Sequence, residues 1–269
     1  MNLSSHASRW LVAAVLVPLL LAAIFLAPPF VFYLVVAVAG LLAWSEFFAM
    51  CLSGERRVLM LLGMVGVALV MLGARLDNSI AHGAALVVAV CLGCLYFLLR
   101  FEKTPSIIDH TGRFVLGQVY IGLFLSFLAR LFALDHGPNW VLFALAVTFL
   151  GDTGAFYTGR TWGRHPLYPA VSPKKTREGL WGGLAGGGLA AGVIAVFLLP
   201  APWYEAALFG VFLGFWGAVG DLFESMLKRS AGIKDSGSLL RGHGGVMDRI
   251  DGLIFNAPIV YFYAVARGF

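Results

Sequence analysis

Residues 204–251 read YEAALFGVFLGFWGAVGDLFESMLKRSAGIKDSGSLLRGHGGVMDRID. The first part of this stretch, 204–226, is an apolar run of membrane-spanning length that carries Asp221 and Glu224 near its end. The second part, 227–251, gathers five basic side chains, three aspartates and one histidine around a Gly-His-Gly-Gly turn. Charges of this density beside a membrane-length run predict a polar site at one face of a bilayer.

The composition of the whole chain is that of a membrane protein. Of its 269 residues, 60% are hydrophobic and only 12% are charged, whereas a soluble domain has about 25% charged residues. We predict an all-α polytopic membrane protein with about nine transmembrane helices, at 10–27, 30–52, 58–74, 82–99, 114–134, 140–157, 180–199, 204–226 and 250–266. The first run is longer than the apolar part of a signal peptide, so we expect a retained helix there.

Lysines and arginines lie almost entirely on one side of these predicted helices. With a cytoplasmic N-terminus, that side holds Arg9, Arg56, Arg57, Arg100, Lys103, Arg113, Arg160, Arg164, Lys174, Lys175, Arg177, Lys228, Arg229, Lys234, Arg241 and Arg249. The other side holds Arg75 and Arg267, and Arg130 lies within a span. Because cytoplasmic loops carry an excess of basic residues, the loops 158–179 and 227–249 are predicted to be cytoplasmic.

The net charge of +5 is therefore a property of the predicted cytoplasmic face. It does not indicate a nucleic-acid partner, because the basic residues lie in loops between spans and form no long run. Residues 1–140 have short connections and few charges within spans, and we expect them to form a scaffold. Glu46 is their exception, and both a functional role and a location at the polar end of its helix stay open. Residues 141–269 hold almost all the side chains suited to chemistry.

The acids of the apolar run 204–226 share one helical face. Asp221, Glu224, Ser225 and Lys228 follow at i, i+3, i+4 and i+7, a spacing that places all four side chains together. An internal Glu224–Lys228 pair is one interpretation of Glu224. That pair leaves Asp221, which lies deeper, without a partner.

Two further groups of acids are expected at the same membrane face. Asp248 and Asp251 open the last span, where acids also stabilise the start of a helix, and Asp152 lies in Gly-Asp-Thr-Gly at another helix end. Carboxylates delivered by three helices to one place predict a site for a hard divalent cation, Mg²⁺ or Mn²⁺. His243, between glycines, fits a turn or a phosphate contact better than a transition-metal ligand.

The loop 158–179 carries Ser-Pro-Lys-Lys-Thr at 172–176, directly before a predicted helix. Two hydroxyls and two ammonium groups at a helix N-terminus form an anion-binding arrangement. Taken alone, the segment is better explained by positive-inside anchoring with a Ser-Pro cap. Next to the acids and the second basic loop, phosphate binding is the better interpretation. The glycines at 182–188 permit close packing of the helix that follows.

Residues 225–251, SMLKRSAGIKDSGS followed by GHGGVMDRID, closely resemble the motif of the phosphatidate cytidylyltransferase (CDP-diacylglycerol synthase) family. The upstream segments GDTGAF and SPKKTREG resemble the same family, so the specific resemblance covers roughly 150–256. Arg177, Arg241 and Gly252 stand where that family more often has other residues. The resemblance implies transfer of a cytidylyl group from CTP to phosphatidate, with release of pyrophosphate.

The resemblance also implies roles for individual residues. We expect Asp221 and Asp248 to bind the metal, supplemented by Asp152 and Asp251. We expect Lys174 and Lys175 to hold the triphosphate, and Lys228, Arg229 and Arg249 to hold the lipid phosphate or the α-phosphate. Further substrate contacts are expected from Ser172, Thr176, Lys234, Asp235, His243 and Gly244. A bacterial inner membrane is the expected location, while a monovalent cation as a second cofactor and a homodimer as the assembly stay open.

Two other functions are compatible with the same features. A CTP-dependent lipid kinase, such as a polyprenol kinase, also needs a metal and basic loops at a membrane face. A transporter of anionic lipids also has acids within its spans, although it is expected to distribute polar groups through the bilayer and to show a repeat.

Overall fold

The computed structural model describes residues 17–76, 78–104, 106–234, 236–237 and 245–269. Residues 17–25 form the helical segment α1. The later helices are α2 Pro29–Cys51, α3 Arg57–Arg75, α4 Ser79–Leu98, α5 Ile107–Phe132, α6 Gly137–Trp162, α7 Arg177–Leu198, α8 Trp203–Ser230 and α9 Met247–Ala266. A short 3₁₀ turn, Phe101–Lys103, lies between α4 and α5.

Seven helices, α2 to α8, are long and apolar enough to cross a membrane within the described part of the chain. They confirm the prediction of an all-α polytopic membrane protein. The last helix, α9, is not among the seven, since it carries Asp248, Arg249, Asp251 and Asn256 among its apolar residues. The first predicted span, 10–27, is described only from residue 17 onward.

The loop between α6 and α7 forms a β-hairpin. Strand β1, Pro166–Tyr168, pairs antiparallel with strand β2, Ser172–Thr176. The Thr176 side chain accepts a hydrogen bond of 3.1 Å from the Gly179 amide and so caps α7. The N-terminus of α7 is therefore capped by Thr176. Ser172 and Pro173, the cap suggested from the sequence, lie on β2 instead.

Glycines allow α6, α7 and α8 to pack closely. A Cβ atom at Gly154 would lie 2.5 Å from the carbonyl oxygen of Gly182, and one at Gly187 would lie 2.8 Å from that of Gly210. Small residues at such crossings let helix backbones approach in a membrane. This packing confirms the expectation for the glycine-rich segment and sets the spacing of the helices that carry the acids.

The last helix also packs against the first half of the chain. Arg130 of α5, which is buried, donates hydrogen bonds to the Tyr261 hydroxyl of α9 at 3.0 Å and to Ser79 Oγ of α4 at 3.1 Å. Burying a guanidinium is unfavourable unless it is hydrogen-bonded, so these contacts hold α9 against α4 and α5. The division into regions 1–140 and 141–269 stays a prediction.

Candidate active site

Four helix ends meet at one face of the bundle. Asp152 lies toward the C-terminal end of α6, and the hairpin strand β2 leads into α7. Asp221, Glu224 and Lys228 occupy the last turns of α8, while Asp248 and Asp251 occupy the first turns of α9. The chain thus delivers both acids and lysines to the same end of neighbouring helices, as the sequence predicts.

Three carboxylates converge at this face. Ligand oxygens of Asp221, Glu224 and Asp251 all lie within 4.8 Å of one another. Glu224 is fully buried and Asp251 is 9% exposed. A Cβ atom at Gly220 would lie 2.8 Å from the Asp251 carbonyl oxygen, so the glycine lets α9 approach α8 here. Three oxygen donors at this spacing fit a hard divalent cation.

The three carboxylates are also unfavourable to hold together without a bound cation. Among the residues that the structure describes, Glu224 Oε1 is buried with no hydrogen-bond partner. A buried carboxylate oxygen without a partner is unfavourable, and carboxylates held together repel each other. A bound cation would relieve both costs.

Lys175 is the basic partner of Asp221. Its Nζ atom lies 2.5 Å from Asp221 Oδ2, and both side chains are partly exposed. The sequence interpretation that Asp221 has no partner is therefore wrong, because the partner comes from the hairpin and not from α8. Lys174, the neighbour of Lys175, is exposed on the same strand.

Lys228 joins two acids of different helices. Its Nζ atom lies 2.9 Å from Glu224 Oε2 and 2.5 Å from Asp248 Oδ1. The i, i+4 pair proposed from the sequence is present, and Lys228 is only 12% exposed. In this position Lys228 fixes the end of α8 to the start of α9. A phosphate contact by Lys228 stays a prediction.

Both carboxylate oxygens of Asp248 are engaged within the protein. Oδ1 pairs with Lys228, while Oδ2 accepts hydrogen bonds from the amides of Gly245 at 2.8 Å and Ser236 at 3.2 Å. Both amides lie before α9, so Asp248 ties the preceding segment to the first turn of that helix. These contacts fit a structural role for Asp248 at the start of α9, while Glu224 joins Asp221 and Asp251 in the acid cluster. Asp248 as a metal ligand stays a prediction.

Glu46 of α2 supports the same segment from the other side. Its carboxylate accepts hydrogen bonds of 2.8 Å from the amides of Val246 and Met247 and one of 3.3 Å from Ser236 Oγ. Glu46 is 5% exposed. Sequence reasoning left its role open, and the only available signal was an acid inside an apolar run.

The chain matches the cytidylyltransferase family over residues 7–266. It belongs to this family. The acids and lysines described above therefore lie in the C-terminal half of a cytidylyltransferase-family membrane protein, where the sequence motif is found.

Curated relatives of this family member show similar sequences over part of their length. The phosphatidate cytidylyltransferase of Bacillus subtilis is 35% identical over 178 residues, which are 64% of this chain and 66% of that protein. The uncharacterized protein YnbB of Escherichia coli is 36% identical over 187 residues, 62% of this chain and 63% of that protein. The phosphatidate cytidylyltransferase of Mycobacterium bovis is 44% identical over 140 residues, 52% of this chain and 45% of that protein. The chain spans less than two thirds of the length of each of these relatives.

Four of the other site residues predicted for this family member, Asp152, Arg229, Lys234 and Arg249, lie among the described residues. Asp152 is exposed and interacts electrostatically with Asp221, Lys175 and Asp251. Arg229 donates to the carbonyl oxygens of Val171 at 3.3 Å and Ile233 at 3.4 Å, which ties the hairpin to the end of α8. Lys234 and Arg249 are exposed. Asp235, His243 and Gly244 lie outside the described residues.

Proposed function

We propose that this protein is a phosphatidate cytidylyltransferase that joins CTP and phosphatidate into CDP-diacylglycerol and pyrophosphate. The observation that supports this most strongly is the meeting of Asp221, Glu224 and Asp251 with Lys175 and Lys228 at one end of the helix bundle. The Bacillus and Mycobacterium relatives are both named phosphatidate cytidylyltransferase, which supports the same substrates.

The reaction depends on stabilising negative charge on the phosphates more than on transferring a proton. A phosphate oxygen of phosphatidate, ionised at neutral pH, attacks the α-phosphorus of CTP and forms the new P–O bond. The bond between the α-phosphorus and the bridging oxygen breaks, and its electrons leave with pyrophosphate. Because the nucleophile already carries negative charge, the reaction depends on electrostatic stabilisation and positioning and not on a strong general base.

The residues of the chain suit that task. A divalent cation held by Asp221, Glu224 and Asp251 would neutralise phosphate charge and supply Lewis-acid chemistry when bound. Lys175 pairs with Asp221 through an Nζ atom that is itself buried, and it would contact a phosphate bound beside that carboxylate. Lys174 and Arg229 add exposed positive charge around the cluster. The Lys228–Asp248 ion pair holds the end of α8 against the start of α9, and this fixes the relative positions of the three carboxylates.

The membrane orientation follows from the distribution of charge. The acid cluster lies at the helix ends that border loops 158–179 and 227–249, the loops with most of the lysines and arginines. By the positive-inside rule this face is cytoplasmic, where CTP is available, and phosphatidate would enter from the adjacent leaflet. We place the protein in a bacterial inner membrane. A homodimer and a monovalent cation stay predictions.

The decisive experiment uses the purified protein in detergent with labelled CTP, defined phosphatidate and a series of divalent and monovalent cations. Lipid-linked cytidine together with released pyrophosphate is the expected product. Formation of CDP with a phosphorylated lipid would show a CTP-dependent kinase instead. Lipid movement across proteoliposomes without any requirement for CTP would show a transporter and contradict the proposal.

A further inference from the structure

A tyrosine from the first half of the chain packs against the two helices that carry the acid cluster. Tyr120 belongs to α5 and is 2% exposed. Its ring makes edge contacts with Phe223 of α8, at 5.3 Å between centroids, and with Phe255 of α9, at 5.8 Å. These are the helices that carry the three carboxylates, so the packing of one ring fixes Tyr120 relative to both.

The Tyr120 hydroxyl is a buried polar group that lacks a partner within the part of the chain that the structure describes. Among the described residues it makes no hydrogen bond, and its electrostatic interactions are with Asp251, Glu224 and Asp221. Leaving a buried hydroxyl unsatisfied is unfavourable. Glu224 Oε1 is a second buried atom without a partner, and it belongs to the same cluster. Among the described residues, a donor on α5 and an acceptor on α8 are therefore both unpartnered, and Tyr120 packs against the residue next to Glu224.

The backbone around Tyr120 departs from a regular α-helix. Residues Gln118–Leu123 form a π-helical turn within α5. Such turns are rare, cost regular hydrogen bonding and occur frequently at functional sites. A Phe at position 120 would fill the same apolar contacts, so packing alone gives no reason for a hydroxyl here.

We propose that the Tyr120 hydroxyl is a positioning group that donates a hydrogen bond to the Asp221–Glu224–Asp251 cluster when these carboxylates hold a divalent cation. The inference rests on the proposed function and deepens it, because it adds a residue from the N-terminal region to the site. A hydroxyl donor orients carboxylate oxygens without adding charge. Loss of such an outer partner typically weakens metal binding 10- to 100-fold.

Binding of Mn²⁺ to the purified full-length protein, followed by electron paramagnetic resonance without CTP or lipid, tests this inference. Tyr120→Phe is expected to raise the Kd for Mn²⁺ by about tenfold or more. The melting temperature in metal-free buffer is expected not to fall, since the hydroxyl has no partner among the residues that the structure describes. In the transfer assay, high Mn²⁺ concentrations should restore most of the rate.

Tyr263→Phe is the matched control. Tyr263 lies on α9 and likewise lies beside a carboxylate, since it donates to Glu205 at 2.7 Å, but it lies at the end of α9 opposite the acid cluster. Its removal is expected to leave the Kd for Mn²⁺ unchanged.

Three outcomes would overturn the inference. One is a wild-type Kd in Tyr120→Phe, another is a fall in metal-free melting temperature without a change in Kd, and the third is a wild-type protein that binds no Mn²⁺. If the wild type still makes CDP-diacylglycerol in any of these cases, the proposed function stands and only the role of Tyr120 fails.

Discussion

Glu46 and Met247 are 201 positions apart in the sequence, yet Glu46 Oε2 accepts a hydrogen bond of 2.8 Å from the Met247 amide. The same carboxylate accepts from the amide of Val246. The second helix therefore caps the last one, at the point where the last helix brings Asp251 to the acid cluster. A scaffold residue thus sets the position of a proposed metal ligand.

Removal of this cap is expected to destabilise the protein and impair the site. Hydrogen bonds to a charged acceptor contribute about 1.5–3 kcal/mol each, so Glu46→Ala should lower the melting temperature in detergent clearly. Glu46→Gln, which keeps one acceptor oxygen, should have an intermediate effect. The control is Glu205→Gln on α8, whose carboxylate contacts Tyr263 near the other end of α9. Equal melting temperatures for all three variants would refute the capping role.

The two neighbouring lysines of β2 are expected to differ in function. Lys175 lies 2.5 Å from Asp221, whereas Lys174 is exposed. Lys175→Ala should therefore lower kcat about 100-fold at saturating CTP, in the range known for loss of an electrostatic stabiliser. Lys174→Ala should mainly raise the KM for CTP. Steady-state kinetics separate the two, and the reverse pattern would show that Lys174 faces the reacting phosphates.

The acids of the cluster are expected to control the metal requirement. Glu224→Gln and Asp251→Asn should each reduce the transfer rate at least about 100-fold at ordinary Mg²⁺. Asp109→Asn, whose carboxylate pairs with Arg113 at an exposed site, should leave the rate unchanged. Asp248→Asn should lower the melting temperature while the Mg²⁺ concentration for half-maximal rate stays constant. A large shift of that concentration in Asp248→Asn would place Asp248 in the ligand set.

Close packing of α6 and α7 gives a prediction about stability alone. Gly154→Ala would place a methyl group 2.5 Å from the Gly182 carbonyl oxygen, and overpacking of this kind costs about 1–3 kcal/mol. Gly83→Ala on α4 meets no atom within 4 Å and should cause no loss. Thermal unfolding of the two variants compares them directly, and equal stability would mean that the helices can separate at little cost.

The helices and their order could be predicted because they depend on properties of continuous segments. A run of apolar residues has the length of a span whatever lies around it. The Glu224–Lys228 pair was also predictable, since both residues lie on one helix and their spacing matches its period. The shared face of Asp221 and Glu224 follows from the same argument.

The partners across helices could not be predicted in the same way. Lys175 of the hairpin forms an ion pair with Asp221, and Lys228 forms ion pairs with both Asp248 and Glu224. Which acid neutralises a lysine and which remains for a cation depends on the distance between helices, and no local pattern encodes it. Tyr120 gave no signal at all, because an aromatic residue in an apolar span is ordinary.

The most direct test of the metal cluster is anomalous diffraction from crystals of the full chain grown with Mn²⁺. We predict a peak coordinated by Asp221, Glu224 and Asp251 at about 2.1 Å, the distance typical of a small hard cation. A peak held by Asp152 or Asp248 without these three carboxylates, or none beside them at saturating Mn²⁺, would contradict the account.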